Sequence, residues 1–153
     1  MDWGLLGAIY AIFHACHGIG DYWAQSDWMA RNKSKSWGAL VSHALVYSLP
    51  FTIAGAILVN TANISVYKFL VLPFVVAVPH AWMDRRRFLA WFCKKTKGWD
   101  AGDLEGMEKA GASVSTIAQT VYIRGHVSIA MDQKFHYLCL LLTAAWLAYN
   151  VPS

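Results

Sequence analysis

The sequence predicts an all-α polytopic membrane protein, a four-helix transmembrane bundle with an interfacial or cytoplasmic helical loop between the third and fourth helices. Three observations predict it: four apolar spans, a one-sided distribution of basic residues, and a gathering of the scarce ionisable groups toward one end of those spans. Of the 153 residues, 57% are hydrophobic and 14% charged, against roughly 45–50% and 25% in soluble globular chains. This excludes a disordered chain, and the length allows one domain over 1–153.

The first span, about residues 3–19, carries no charge. Asp2 stands where a cleavable signal has basic residues, and two His and a Cys interrupt the apolar run, so an uncleaved helix is expected. The second span, about 38–59, is a 22-residue uncharged run. As a helix it reaches about 33 Å, enough for a hydrocarbon core of about 30 Å. A core helix of a soluble bundle keeps a polar face toward water. This one has only Ser42, His43, Tyr47, Ser48 and Thr52 as polar side chains, too few for such a face. The third span, about 66–83, contains only Lys68, and the short polar link 60–65 makes the second and third helices antiparallel neighbours. The fourth, about 129–151, is uncharged from residue 135 onward.

The loop 84–128 has three parts. Residues 85–97 interleave Phe88, Leu89, Trp91 and Phe92 with six basic residues, which suits a helix lying in the membrane interface. Residues 98–111 are acidic and Gly-rich and read as solvated, and 113–124 suit a short helix leading back to the membrane. Cys16, Cys93 and Cys139 lack metal-finger spacing and read as free thiols.

Lys and Arg concentrate on the cytoplasmic side of short loops. With four spans, 12 of the 13 basic residues fall on one side and only Lys68 on the other. The expected protein is integral to the cytoplasmic (inner) membrane, with both termini outside and both basic loops in the cytoplasm. Its net charge of +4 then reflects orientation and contact with the lipid bilayer, and no nucleic-acid partner is expected.

Ionisable groups within membrane spans are costly and usually mark a bundle interior or a site. Here His14, His17 and Asp21 end the first helix, His43 begins the second, His80 and Asp84 end the third, and Asp132, Gln133 and His136 begin the fourth. Because the helices alternate in direction, all of these lie toward the cytoplasmic end. His17/Asp21, His80/Asp84 and Asp132/His136 have i,i+4 spacing, and His14 lies three before His17, so each helix can aim an imidazole and a carboxylate inward together. Imidazole with carboxylate suits a divalent metal ion, Zn, Mn or Fe. Five His and three Asp exceed one tetrahedral site, so either two metals are held or some groups support the others. Without a metal, the same residues can act as helix caps and interhelical hydrogen bonds.

The stretch His17-Gly18-Ile19-Gly20-Asp21-Tyr22-Trp23-Ala24-Gln25, continuing through Asp27-Trp28-Met29-Ala30-Arg31-Asn32-Lys33, resembles the opening motif of a family of small polytopic membrane proteins of bacteria and their phages, known only as a domain of unknown function. His43, His80-x-x-x-Asp84 and Asp132-Gln133-x-x-His136 resemble the family's later His and Asp positions, in order, over nearly the whole chain. Members often carry Lys where this chain has Arg87, and His14 lies outside the motif. The resemblance implies a shared site without naming a reaction.

The expected function is a metal-dependent hydrolase of a lipid or lipid-linked substrate. His14, His17, His43, His80 and His136 with Asp21, Asp84 and Asp132 form the candidate metal set, and an unligated Asp serves as general base. Gln25 and Gln133 are candidate supporting residues, and Arg85, Arg86 and Arg87 are candidates to hold a phosphate or head group. The alternatives are a proton or metal-ion transporter, against which the outer halves of the helices offer no matching charges, and a non-catalytic, phage-encoded interaction protein whose His/Asp set only holds the bundle together.

Overall fold

A computed structural model describes residues 2–100, 102–149 and 151. Among these are seven α-helices and no strand. Helix α1 (Trp3–Gly18) continues through a π-helical turn (Ile19–Trp23), followed by α2 (Asp27–Asn32), α3 (Trp37–Thr61), α4 (Val66–Asp84), α5 (Arg87–Lys97), α6 (Gly102–Lys109) and α7 (Val114–Ala148). Serines set several boundaries by accepting a backbone N–H: Ser26 caps α2, Ser36 caps α3 and Ser113 caps α7.

Helices α1, α3, α4 and α7 pack around one core, with α3 against α4, α4 against α7, α7 against α1 and α1 against α3. The core is built from Ile9, Phe13, Phe51, Leu58, Leu72, Leu140 and Leu147, and Phe13 meets Phe51 edge-on at 5.2 Å between ring centres. The faces turned away from this core are equally apolar. Val41, Leu45, Leu49, Ile53 and Ile57 are exposed along α3 at steps of four, as are Leu70, Phe74, Val78 and Trp82 along α4. A helix apolar all round needs an apolar surrounding outside the bundle.

Three helical stretches are long and apolar enough to cross a membrane: Trp3–Trp23, Trp37–Thr61 and Val66–Asp84. The fourth expected span behaves differently. Residues 113–124 do not form a separate short helix; Ser113 caps α7 and 114–124 are its start, and the helix runs unbroken for 35 residues, about 52 Å. No proline interrupts it, and Gly125 alone does not break a helix. Asp132, Gln133, Lys134 and His136 lie within it, so its uncharged described part is 135–148. The expected end of that span at 151 passes through Asn150, which lies outside the described residues.

The π-helical turn brings its backbone against α3. A Cβ added at Gly20 would stand 2.9 Å from Tyr47 Cδ2, 3.0 Å from the Tyr47 carbonyl oxygen and 3.1 Å from its Cα. Two of those atoms are backbone and cannot turn aside. Gly20→Ala should destabilise the protein by about 1–3 kcal/mol, read by denaturant unfolding in detergent. At Gly55 the added Cβ would meet side chains only, Leu72 Cδ2 at 2.7 Å and Phe69 Cδ2 at 3.1 Å, but Leu72 is fully buried in the core, so Gly55→Ala should also destabilise the protein, by overpacking. At the opposite end of the bundle, Lys68 Nζ donates to the carbonyls of Leu147 and Tyr149, closing the last turn of α7.

Candidate functional site

Six of the nine polar residues that the sequence places at one depth lie buried in one layer. His17, Asp21, His43, His80, Asp84 and His136 are all buried, each under a tenth exposed. The imidazoles of His80 and His136 are 4.6 Å apart between ring centres, those of His43 and His80 5.0 Å, and those of His17 and His136 5.4 Å.

Within this layer, Asp21, His43, His80 and Asp84 form a tighter group, with one ligand atom from each lying within 4.8 Å of all the others. His43 Nε2 is 2.9 Å from His80 Nε2, 3.2 Å from Asp21 Oδ1 and 3.2 Å from Asp84 Oδ2. His80 Nε2 is 3.1 Å from Asp84 Oδ2 and 3.8 Å from Asp21 Oδ1. A tetrahedral ion with bonds of about 2.0–2.1 Å separates its ligand atoms by about 3.3–3.4 Å. Four of the five separations fall a little short of that value and one exceeds it, so the group is close to the size of a tetrahedral ligand set and could hold a metal ion. Two bare imidazole nitrogens also repel at 2.9 Å, so a proton or a cation has to lie between them.

A residue that stands outside the candidate site set, counted toward membrane orientation and closing the opening motif, enters the same group. Lys33, just past α2, turns back so that its Nζ donates to Asp21 Oδ1 at 2.9 Å and lies 3.1 Å from Asp84 Oδ1 and 3.3 Å from His43 Nε2. Its side chain is 12% exposed. Two carboxylates and one ammonium leave one uncompensated negative charge when the imidazoles are neutral. Its position at the end of the opening motif is the one sequence signal that could have found it. Tyr47, in the sequence one of the few polar side chains of the second span, also belongs to the site. Four residues beyond His43, it stacks on His80 at 3.5 Å with 9° between the planes, fixing that ring's tilt.

The remaining candidates surround the group without joining it. His17 has both ring nitrogens engaged, Nδ1 with the Tyr47 hydroxyl at 3.2 Å and Nε2 with Gln133 Oε1 at 3.0 Å. Gln133 thus steadies His17, and Gln25 Nε2 donates to the Asp21 carbonyl at 2.7 Å, tying down the π-helical turn. His136 Nδ1 donates to the Asp132 carbonyl at 2.9 Å, leaving its buried Nε2 without a partner among the described residues, as is Asp132 Oδ1. His14 is exposed and rests on the Tyr137 ring at 4.7 Å. The three arginines separate. Arg85 lies over Trp37 and donates to the Ser34 carbonyl, Arg87 begins α5 facing solvent, and Arg86 lines a cavity together with Asp132.

Curated proteins and solved structures give no match to this chain. A family profile matches residues 9–153, from within α1 onward, and includes each residue of the buried group. The chain therefore belongs to the family described as "Protein of unknown function (DUF3307)".

Proposed function

We propose that this protein is an integral membrane hydrolase that uses a divalent metal ion held by Asp21, His43, His80 and Asp84 and acts on a lipid or lipid-linked substrate. The observation that carries this reading is the convergence of those four ligand atoms at separations suited to tetrahedral coordination. A bound divalent ion would bring the pKa of its water toward neutrality and polarise an ester or phosphoryl oxygen. The chain's own residues supply the rest. Tyr47 and Gln133 hold the ring of His17 beside the group. Asp132, a carboxylate of the layer outside the group, has a buried oxygen with no hydrogen-bond partner among the described residues and takes the proton.

The membrane setting belongs to the same proposal. The three apolar stretches and the apolar part of α7 serve as four spans of a single domain in the inner membrane. The two basic loops face the cytoplasm and both termini lie outside, in keeping with the placement of 12 of the 13 basic residues at the site's end. Helix α5 supports this arrangement. Phe88 and Phe92 pack on Phe135 at 5.1 and 5.2 Å, while Trp91, Lys94, Lys95 and Lys97 are exposed, the distribution expected of a helix lying in the interface.

Metal analysis of detergent-purified protein tests the reading. Wild type should retain about one Zn, Mn or Fe per chain, as expected for one four-ligand set, and His43→Ala/His80→Ala should lose it while still eluting as a folded species. A folded wild type that takes up no divalent ion overturns the proposal. A second reading then stands, in which the group is an ion-pair lock that holds the bundle together. Lys33 favours it, since an ammonium already neutralises the carboxylates. So do the unpartnered Nδ1 atoms of His43 and His80, because a ligating imidazole usually donates from its second nitrogen.

A further inference from the structure

A cleft beside the buried group is lined by an arginine that has no hydrogen bond or ion pair among the described residues. Between α5 and α7, a cavity of about 140 Å³ is lined by Arg86, Leu89, Gly125, Ser128, Ile129 and Asp132. A second, of about 360 Å³, shares Arg86, Leu89 and Ser128 with the first and extends past Trp99 to Arg124. The shared residues make them one continuous cleft, with Asp132 at its inner end.

Arg86 sits in this cleft at a conformational cost. Its backbone is left-handed, φ 56° and ψ 0°, and no side chain caps the helix that starts there. A residue with a Cβ rarely adopts that conformation, and such strain tends to persist at binding and catalytic sites. Its guanidinium makes no hydrogen bond or ion pair among the described residues. Of the other arginines near it, Arg85 lies on Trp37, Arg124 pairs with Asp103 Oδ2 at 3.1 Å, and Arg87 is exposed and does not line the cleft. An arginine fork with free donors, beside the Ser128 hydroxyl and in a partly enclosed cleft, matches the planar oxygens of a phosphate.

We infer that Arg86 and the α5/α7 cleft bind a phosphate group and present it to the buried His/Asp layer past Asp132. The inference deepens the hydrolase reading and rests on it for the direction of presentation, by making the substrate phosphate-bearing. It also assigns the holding role to Arg86 alone among the three consecutive arginines.

The test measures binding and not turnover. Detergent-solubilised protein is titrated with radiolabelled inorganic phosphate. Separately, it is reconstituted into nanodiscs of phosphatidylcholine, with or without phosphatidic acid, and binding of a fluorescent short-chain phosphatidic acid is followed. Arg86→Gln should weaken binding by about tenfold or more, as loss of a charge-assisted contact implies, and Arg86→Lys should recover part of it. Lys95→Gln, the same charge change at an exposed position of α5, should have no effect. Arg86→Gly removes the backbone strain, so it should melt no lower than wild type while losing binding, which separates the site from the fold. Dependence on Arg86 with inorganic phosphate identifies a soluble phosphate compound as the source, and dependence with phosphatidic acid alone identifies a lipid head group. Either result supports the inference. Equal binding by wild type and Arg86→Gln, or equal loss in Lys95→Gln, overturns it. Binding through Arg86 by a folded protein that takes up no divalent ion would overturn the hydrolase reading and leave the phosphate site itself intact.

Discussion

Replacing Lys33 with methionine should lower the unfolding free energy of the metal-free protein by about 3–5 kcal/mol, the usual cost of removing one partner from a buried ionic group. In the native structure the ammonium lies 2.9 Å from Asp21 and 3.1 Å from Asp84. Without it, two buried carboxylates face each other across a pair of imidazoles, with no fixed cation to offset them. Methionine keeps most of the side-chain volume, so the loss reports charge and not a cavity. Adding Asp84→Asn to Lys33→Met removes one of the two stranded charges and should recover a large part of the loss. Denaturant unfolding in micelles, with chelator present, measures both variants. A cost below about 1 kcal/mol, the range of exposed ion pairs, would mean that the ammonium is not integral to the group.

The same substitution should raise affinity for a divalent ion by about a hundredfold or more. Unit charges about 4 Å apart interact by about 4 kcal/mol at an effective dielectric near 20, and a divalent ion doubles the repulsion from an ammonium. A hundredfold change needs only about 2.8 kcal/mol of that. Lys33 lies within hydrogen-bonding distance of three of the four residues that would bind the ion, so ion and ammonium compete for Asp21 Oδ1 and for the charge of the Asp84 carboxylate, whose other oxygen faces the imidazoles. Competition titration against a chelator of known affinity reads the effect. Unchanged or weaker binding in Lys33→Met would place the ion elsewhere and remove the metal centre from this group. The two results together separate the readings of the site. A stability loss that Zn or Mn reverses marks a metal centre guarded by a lysine, and a loss that no ion reverses marks a lock.

The depth of the site was legible because it needed only helix direction and i,i+4 spacing. His80 and Asp84 are on one turn whatever their neighbours do, and alternating helices carry His17, His43 and His136 to the same level. Rotation about each helix axis was less legible. His14 lies three residues before His17, an offset of about 60° from its face, which is enough to leave it exposed against Tyr137 while His17 is buried. Lys33 was illegible for another reason: its reach depends on how residues 24–36 fold back over the bundle, and no periodicity reports a reversal of that kind. The left-handed backbone of Arg86 likewise leaves no mark in the pattern, since arginine is not a residue that announces a positive φ. The helical character of 113–124 and the apolar run beyond 135 were both readable, but their fusion into α7 was not, because the polar residues between them suggest a boundary that the backbone does not make.

That fusion has a mechanical consequence. From Val114 to His136, α7 covers about 33 Å at 1.5 Å per residue, and over that distance the backbone is one unbroken hydrogen-bonded rod. Its first turn therefore sets a fixed standoff from the imidazole of His136. Anything that engages the exposed tip is held at arm's length from the buried layer and yet is rigidly linked to it, so a push or twist at Val114 arrives at Asp132 and His136 without a hinge to absorb it.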